Sequence, residues 1–243
     1  MMGETSVSED VQQPGVGAAK RAPGLWMVAA LLVAHQVVLT IVHYVAGPAL
    51  GWSPTSPALT TTTIVLAALV IGGLVLVDLR KADRAPAVLI RLPTWDARTL
   101  RFILLGIVIA QIPLMILALK GATVWQAGSP SSISVGRVLQ AALGTPAGLA
   151  LIFAAVIVGP LIEEVLYRGY LLGALIGQMP GFIAGFISTC VFVTLHFEPA
   201  NLVAAFCLGI GTSFCALRTR SIVPGLLVHG ASNAFGLWYA TLL

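Results

Sequence analysis

Apolar runs at 25–46, 59–78, 101–119, 147–177, 181–198, 200–217 and 221–242 take up most of this 243-residue chain. A helix needs about 20 apolar residues to cross a hydrocarbon core about 30 Å thick. Inside that core every backbone N–H and C=O must be satisfied within the chain, so only helices and closed barrels span it. Runs of this length are too long for barrel strands and dictate helices. The chain reads as all-α, a polytopic transmembrane helical bundle of about seven spans. Charged residues make up only 9% of it, against about 25% in soluble domains, which excludes a water-soluble fold. The net charge of +4 does not imply nucleic acid, because the cations sit between the apolar runs, where they set topology.

The first 22 residues are polar and read as a disordered cytoplasmic tail ending in Lys20-Arg21. The following run has no convincing cleavage site, so it is retained as the first span rather than read as a signal peptide. The strongest basic cluster is Arg80, Lys81, Arg84, Arg91, Arg98 and Arg101. The positive-inside rule puts it in the cytoplasm, with a cytoplasmic N-terminus and an uncharged outer loop at 47–58. Residues 131–144 suit a short interfacial helix. The fourth run, 147–177, makes about 46 Å of helix, too long for one straight crossing. Either Gly159-Pro160 kinks a single span, or it divides two spans and gives eight. Cys190, Cys207 and Cys215 form no CxxC pair and read as small buried hydrophobes.

The costly feature is Pro160-Leu-Ile-Glu-Glu-Val-Leu-Tyr-Arg-Gly169. A charge at bilayer depth costs about 2.5–3.5 kcal/mol on insertion scales, and such residues are functional candidates by default. Glu164 and Arg168 are i and i+4 and share a helix face. Glu163 points about 100° away and is left free to accept a proton. With seven spans, Glu164 lies about 20 Å from the cytoplasmic end of its helix, His196 about 22 Å, and His229 and Asn233 about 12 and 18 Å. His229 and Asn233 are themselves i and i+4 on the last helix. One membrane layer therefore collects two carboxylates, two imidazoles and an amide. Eight spans would put Arg218 and Arg220 outside, against the charge rule.

Such a set supports two chemistries. A carboxylate with histidine help can activate water against a carbonyl, while an imidazole and an amide hold the oxyanion. Alternatively, Glu163, His196 and His229 could ligate Zn2+, although no HExxH signature is present. A proton-coupled transporter would use the same groups, but no inverted repeat is visible. A non-catalytic immunity or scaffold protein has no need to keep costly buried charges. His35 and His43 in the first run read as packing or interfacial residues. Asp78, Asp83, Asp96 and Glu198 read as surface carboxylates, and Trp26, Trp52 and Trp238 as interfacial anchors.

Glu-Glu-x-x-x-Arg at 163–168, Phe-x-x-x-His at 192–196 and His-x-x-x-Asn at 229–233 stand in order on successive helices. Together with Arg168-Gly169-Tyr-Leu-Leu and Leu208-Gly209, they resemble the CAAX-protease and bacteriocin-processing family of intramembrane proteases. The resemblance covers roughly residues 145–240. It implies an intramembrane endopeptidase core at 131–243, behind N-terminal transmembrane helices at 23–130. By motif position it makes Glu163 the general base, with His196 assisting. His229 and Asn233 would bind the oxyanion, and Glu164 and Arg168 would orient the site. It implies a multi-pass protein of the cell membrane, no required cofactor, and a membrane-associated or lipid-modified peptide or protein as substrate.

Overall fold

The computed structural model describes residues 22–82, 87–120, 137–196 and 202–241. Among them every regular element is helical. Helix α1 runs Leu25–Ala49, α2 Pro57–Ala82, α3 Ala97–Leu119, α4 Pro146–Ile176, α5 Gly181–Leu195, α6 Leu202–Thr219 and α7 Val223–Thr241. Nearly all of the 1–22 tail lies outside the described residues. So does the first part of the 131–144 segment, of which residues 137–142 are helical.

The helix starts follow from local chemistry. Asp96 caps α3, its Oδ1 accepting from the Thr99 backbone N–H at 2.7 Å. That hydrogen bond holds the Asp96 carboxyl below its usual range. Thr145 caps α4, its Oγ1 accepting from the Gly148 N–H at 3.1 Å, with Pro146 at the first helical position.

The protein is a polytopic transmembrane helical bundle. Five helices, α1–α4 and α6, are long and apolar enough to cross a bilayer. Helix α5 has 15 residues, about 22 Å of rise. Helix α7 has 19 but is diluted by His229, Ser232 and Asn233. Of the two readings of the fourth run, the undivided one holds. Helix α4 continues unbroken through Gly159-Pro160 for 31 residues. It does so by widening to π-helical turns at Ala154–Val158, just before Pro160, and again at Glu164–Leu171. Such wide turns inside α-helices are frequent at functional sites.

Large apolar side chains lie bare on the outer surface, among them Leu69, Leu149, Val203 and Phe182. A surface like that suits lipid, not water. Inside, α3 packs most extensively on α6, and α6 also packs on α5 and α7. The α3–α6 contact is tight because Gly106 faces Gly211, where an added Cβ would come within 2.7 Å of the Gly106 carbonyl oxygen. Helix α1 packs on α2 and on the second wide turn of α4, while α2 lies along the first half of α4. The core therefore centres on α4, where Leu166, Tyr167, Tyr170 and Leu172 are buried.

The basic segment between α2 and α3 departs from a plain surface loop. Val88 and Leu89 are buried, and Leu89 takes a positive φ of 57°. Its carbonyl accepts from Ile222 N at 3.1 Å. Arg91 Nε donates to the Arg220 carbonyl at 2.7 Å, and Ser221 Oγ donates to the Arg91 carbonyl. This segment closes the end of the bundle beneath α4 and the α6–α7 turn.

Candidate active site

The second wide turn of α4 presents the charged residues. Glu164 and Arg168 are both fully buried. Arg168 Nη1 lies 3.2 Å from Glu164 Oε1, as the i,i+4 spacing predicts. Nη1 does not aim its N–H at that oxygen, so the contact is an ion pair rather than a well-formed hydrogen bond. The guanidinium is held by other means too: Nη2 donates to the Gly209 carbonyl at 3.3 Å. The guanidinium carbon also lies 4.5 Å from the centroid of the Phe192 ring. The Glu164 carboxylate is boxed in from α7: a Cβ on Gly225 would meet Glu164 Oε2 at 3.1 Å. An alanine there would crowd the carboxylate, which would have to give by a few tenths of an ångström.

His229 of α7 joins the two glutamates. Its Nδ1 is 2.9 Å from Glu164 Oε1, and its Nε2 is 3.5 Å from Glu163 Oε2. The two carboxylates are neighbours in sequence yet approach the ring from its two nitrogen ends. Glu164 is the sealed partner, and Glu163 keeps 22% of its side chain exposed. The Glu164 contact is a hydrogen bond through Nδ1, whereas Nε2 and Glu163 stand at ion-pair distance rather than in a formed hydrogen bond.

His196 stands at the C-terminal end of α5 and is half-buried. Its Nδ1 is 2.6 Å from the Phe192 carbonyl oxygen. A carbonyl only accepts, so Nδ1 carries the hydrogen of that contact, and in that tautomer a neutral imidazole offers a bare Nε2 that can accept a proton or a water hydrogen bond. The ring packs on Phe192 at 4.2 Å between centroids, and Phe192 meets His229 edge-on at 5.9 Å. Phe192 thus spaces the two imidazoles and carries Arg168 on its face.

Asn233 is placed otherwise than as a free donor. Its Nδ2 donates to the Ala155 carbonyl at 2.9 Å. That carbonyl lies in the first wide turn of α4, so the amide ties α7 to α4 where Pro160 and the π turn disturb the helical ladder. A second Nδ2 hydrogen remains for other use.

Among the described residues no group of three or more His, Cys, Asp or Glu is arranged to hold a metal ion. Glu163 and His229 face each other, but His196 does not complete a three-donor set with them, and its Nδ1 is spent on a backbone carbonyl.

The sequence reads His35 as a packing or interfacial residue; it is 4% exposed, in the bundle interior. His43 behaves differently: it is half-buried with its ring edge-on to Tyr44, at 4.7 Å between centroids.

Residues 145–235, which contain this constellation, match the family described as type II CAAX prenyl endopeptidase Rce1-like. The matched segment covers a little over a third of the chain and is similar to the CAAX-protease and bacteriocin-processing family there. Over 85 residues it is 32% identical to "Putative membrane peptidase YdiL" of Bacillus subtilis (strain 168). That stretch is 35% of this chain and 35% of the relative, so the chain spans about a third of the relative's length. No solved structure matches. At the level of the family, the likeness supports a multi-pass membrane protease.

Proposed function

We propose that the protein is an intramembrane endopeptidase that hydrolyses a peptide bond of a membrane-associated or lipid-modified peptide or protein. The reading is carried by one observation: His229 is clamped between a sealed Glu164–Arg168 pair and the more open Glu163. A buried carboxylate–imidazole–carboxylate chain stores and moves a proton, which packing alone does not require.

In this reading Glu163 takes a proton from water, with the bare Nε2 of His196 steering that water. The hydroxide attacks the scissile carbonyl carbon, and the carbonyl π electrons move onto oxygen. The resulting oxyanion is met by His229 Nε2–H and by the second Nδ2 hydrogen of Asn233. When the tetrahedral intermediate collapses, the C–N bond breaks and the proton held by Glu163 passes to the leaving amine. Glu164 and Arg168 act as positioning residues that fix the His229 ring. The basic loop and N-terminus face the cytoplasm of a cell-membrane protein in this scheme, and no cofactor is needed.

The test uses the full chain in lipid nanodiscs and an internally quenched farnesylated CAAX-type peptide, with an unprenylated, membrane-tethered peptide beside it. Cleavage that survives exhaustive chelation and vanishes in Glu163→Gln supports the scheme. Cleavage abolished by chelation and restored by zinc would replace it with metal chemistry. Ion-dependent flux in proteoliposomes without proteolysis would replace it with transport.

A further inference from the structure

Helix α1 brings one polar group to the bundle interior that the scheme above does not use. His35 is 4% exposed, and its Nδ1 is buried with no hydrogen-bond partner among the described residues. An unsatisfied buried nitrogen is destabilising, and a leucine there would pack without that penalty. The rest of α1's inner face is Val28, Leu31 and Leu32, all buried in the core.

Three observations put this ring at the reacting centre. First, α1 packs on the second wide turn of α4. The neighbouring Gln36 meets the Tyr167 side chain across the same contact. Second, Glu163 and His196 both contribute to the electrostatic environment of the ring, and those are the two groups assigned to the water. Third, the two lie at comparable distances along their helices: His35 is ten residues into α1, about 15 Å, and Glu163 is thirteen residues from the end of α4, about 20 Å.

The geometry points to His35 as a third imidazole of the reaction site, one that hydrogen-bonds a reacting oxygen held beside Glu163 and His196. The inference rests on the peptidase reading and extends the site to the N-terminal part of the chain, outside the 145–235 match.

The experiment compares wild type, His35→Gln, His35→Leu and Glu163→Gln as full chains in nanodiscs, using the farnesylated peptide. Both His35 variants should lose about 10²-fold in kcat, as for one lost hydrogen bond to a reacting oxygen, with KM changed less than about threefold. His35→Leu should melt at or above the wild-type temperature, which a packing histidine would not allow. The ring nitrogen resonance of His35, assigned by its loss in His35→Gln, should shift in Glu163→Gln. Wild-type kcat in His35→Gln, or a resonance indifferent to Glu163→Gln, overturns the inference while leaving the peptidase reading intact. Cleavage retained in Glu163→Gln sinks the peptidase reading instead. If wild type leaves the peptide uncut, the resonance alone decides whether His35 shares a site with Glu163.

Discussion

Replacing Arg168 by Met separates what the buried ion pair does from what the carboxylate does. Arg168 and Glu164 are both 0% exposed, 3.2 Å apart. Removing the guanidinium alone leaves Glu164 buried with only His229 for company. Breaking a buried pair this way costs about 3–5 kcal/mol. The lost contact with the Phe192 face, 4.5 Å away, adds about 1–2 kcal/mol, the range for a desolvated cation over an aromatic ring. A variant that also carries Glu164→Gln removes both charges and keeps an acceptor for His229 Nδ1. It should recover most of the stability, because neutral replacements of buried pairs are often harmless. The assay is an unfolding titration in mixed micelles of wild type, each single variant and the double, closed as a double-mutant cycle. A coupling of about 2 kcal/mol or more is expected. Additive losses, or an Arg168→Met cost below about 1 kcal/mol, would refute the view that the pair is a coupled unit in a dry interior.

Asn233→Ala removes the hydrogen bond to the Ala155 carbonyl and should cost about 1 kcal/mol in the same titration. If the second amide hydrogen also meets the oxyanion, kcat falls about 10²–10³-fold, far beyond what the stability loss explains. Gly225→Ala pushes a methyl against Glu164 Oε2 and the Thr212 carbonyl and should destabilise by about 1–3 kcal/mol. A neutral result would mean that α7 yields easily at this contact. In a background with the three cysteines replaced, a cysteine at Ser53 should react with an impermeant maleimide added outside whole cells. One at Arg98 should react only after lysis, and the reverse pattern would invert the topology.

The fold was legible because hydrocarbon leaves few options. Apolar runs of 20 residues become helices, and the Glu164–Arg168 spacing becomes an ion pair because i and i+4 stay on one face even where the helix widens. Three features were not legible, each for a physical reason. The wide turns of α4 depend on how Pro160 and its neighbours share carbonyls, and single-residue patterns do not carry that. With them went the Asn233–Ala155 bond, which a reading of Asn233 as a free donor overlooked. His35 has no partner within its own helix. Only the packing of α1 on the second wide turn of α4 carries it into the interior, and the cue available in sequence was a pair of histidines, His35 and His43, in an apolar run. The 87–92 segment looked like a solvated basic loop, because Val88 and Leu89 are too short a run to register as core.

Turnover by Glu163→Gln in nanodiscs tests the central claim most directly, since it swaps one oxygen for nitrogen beside His229 and leaves Glu164, Arg168 and the helices untouched. Loss of a positioned general base predicts a fall in kcat of at least about 10²–10⁴-fold at unchanged melting temperature. Peptide cleavage at the wild-type rate would contradict the assignment of Glu163 as the proton acceptor.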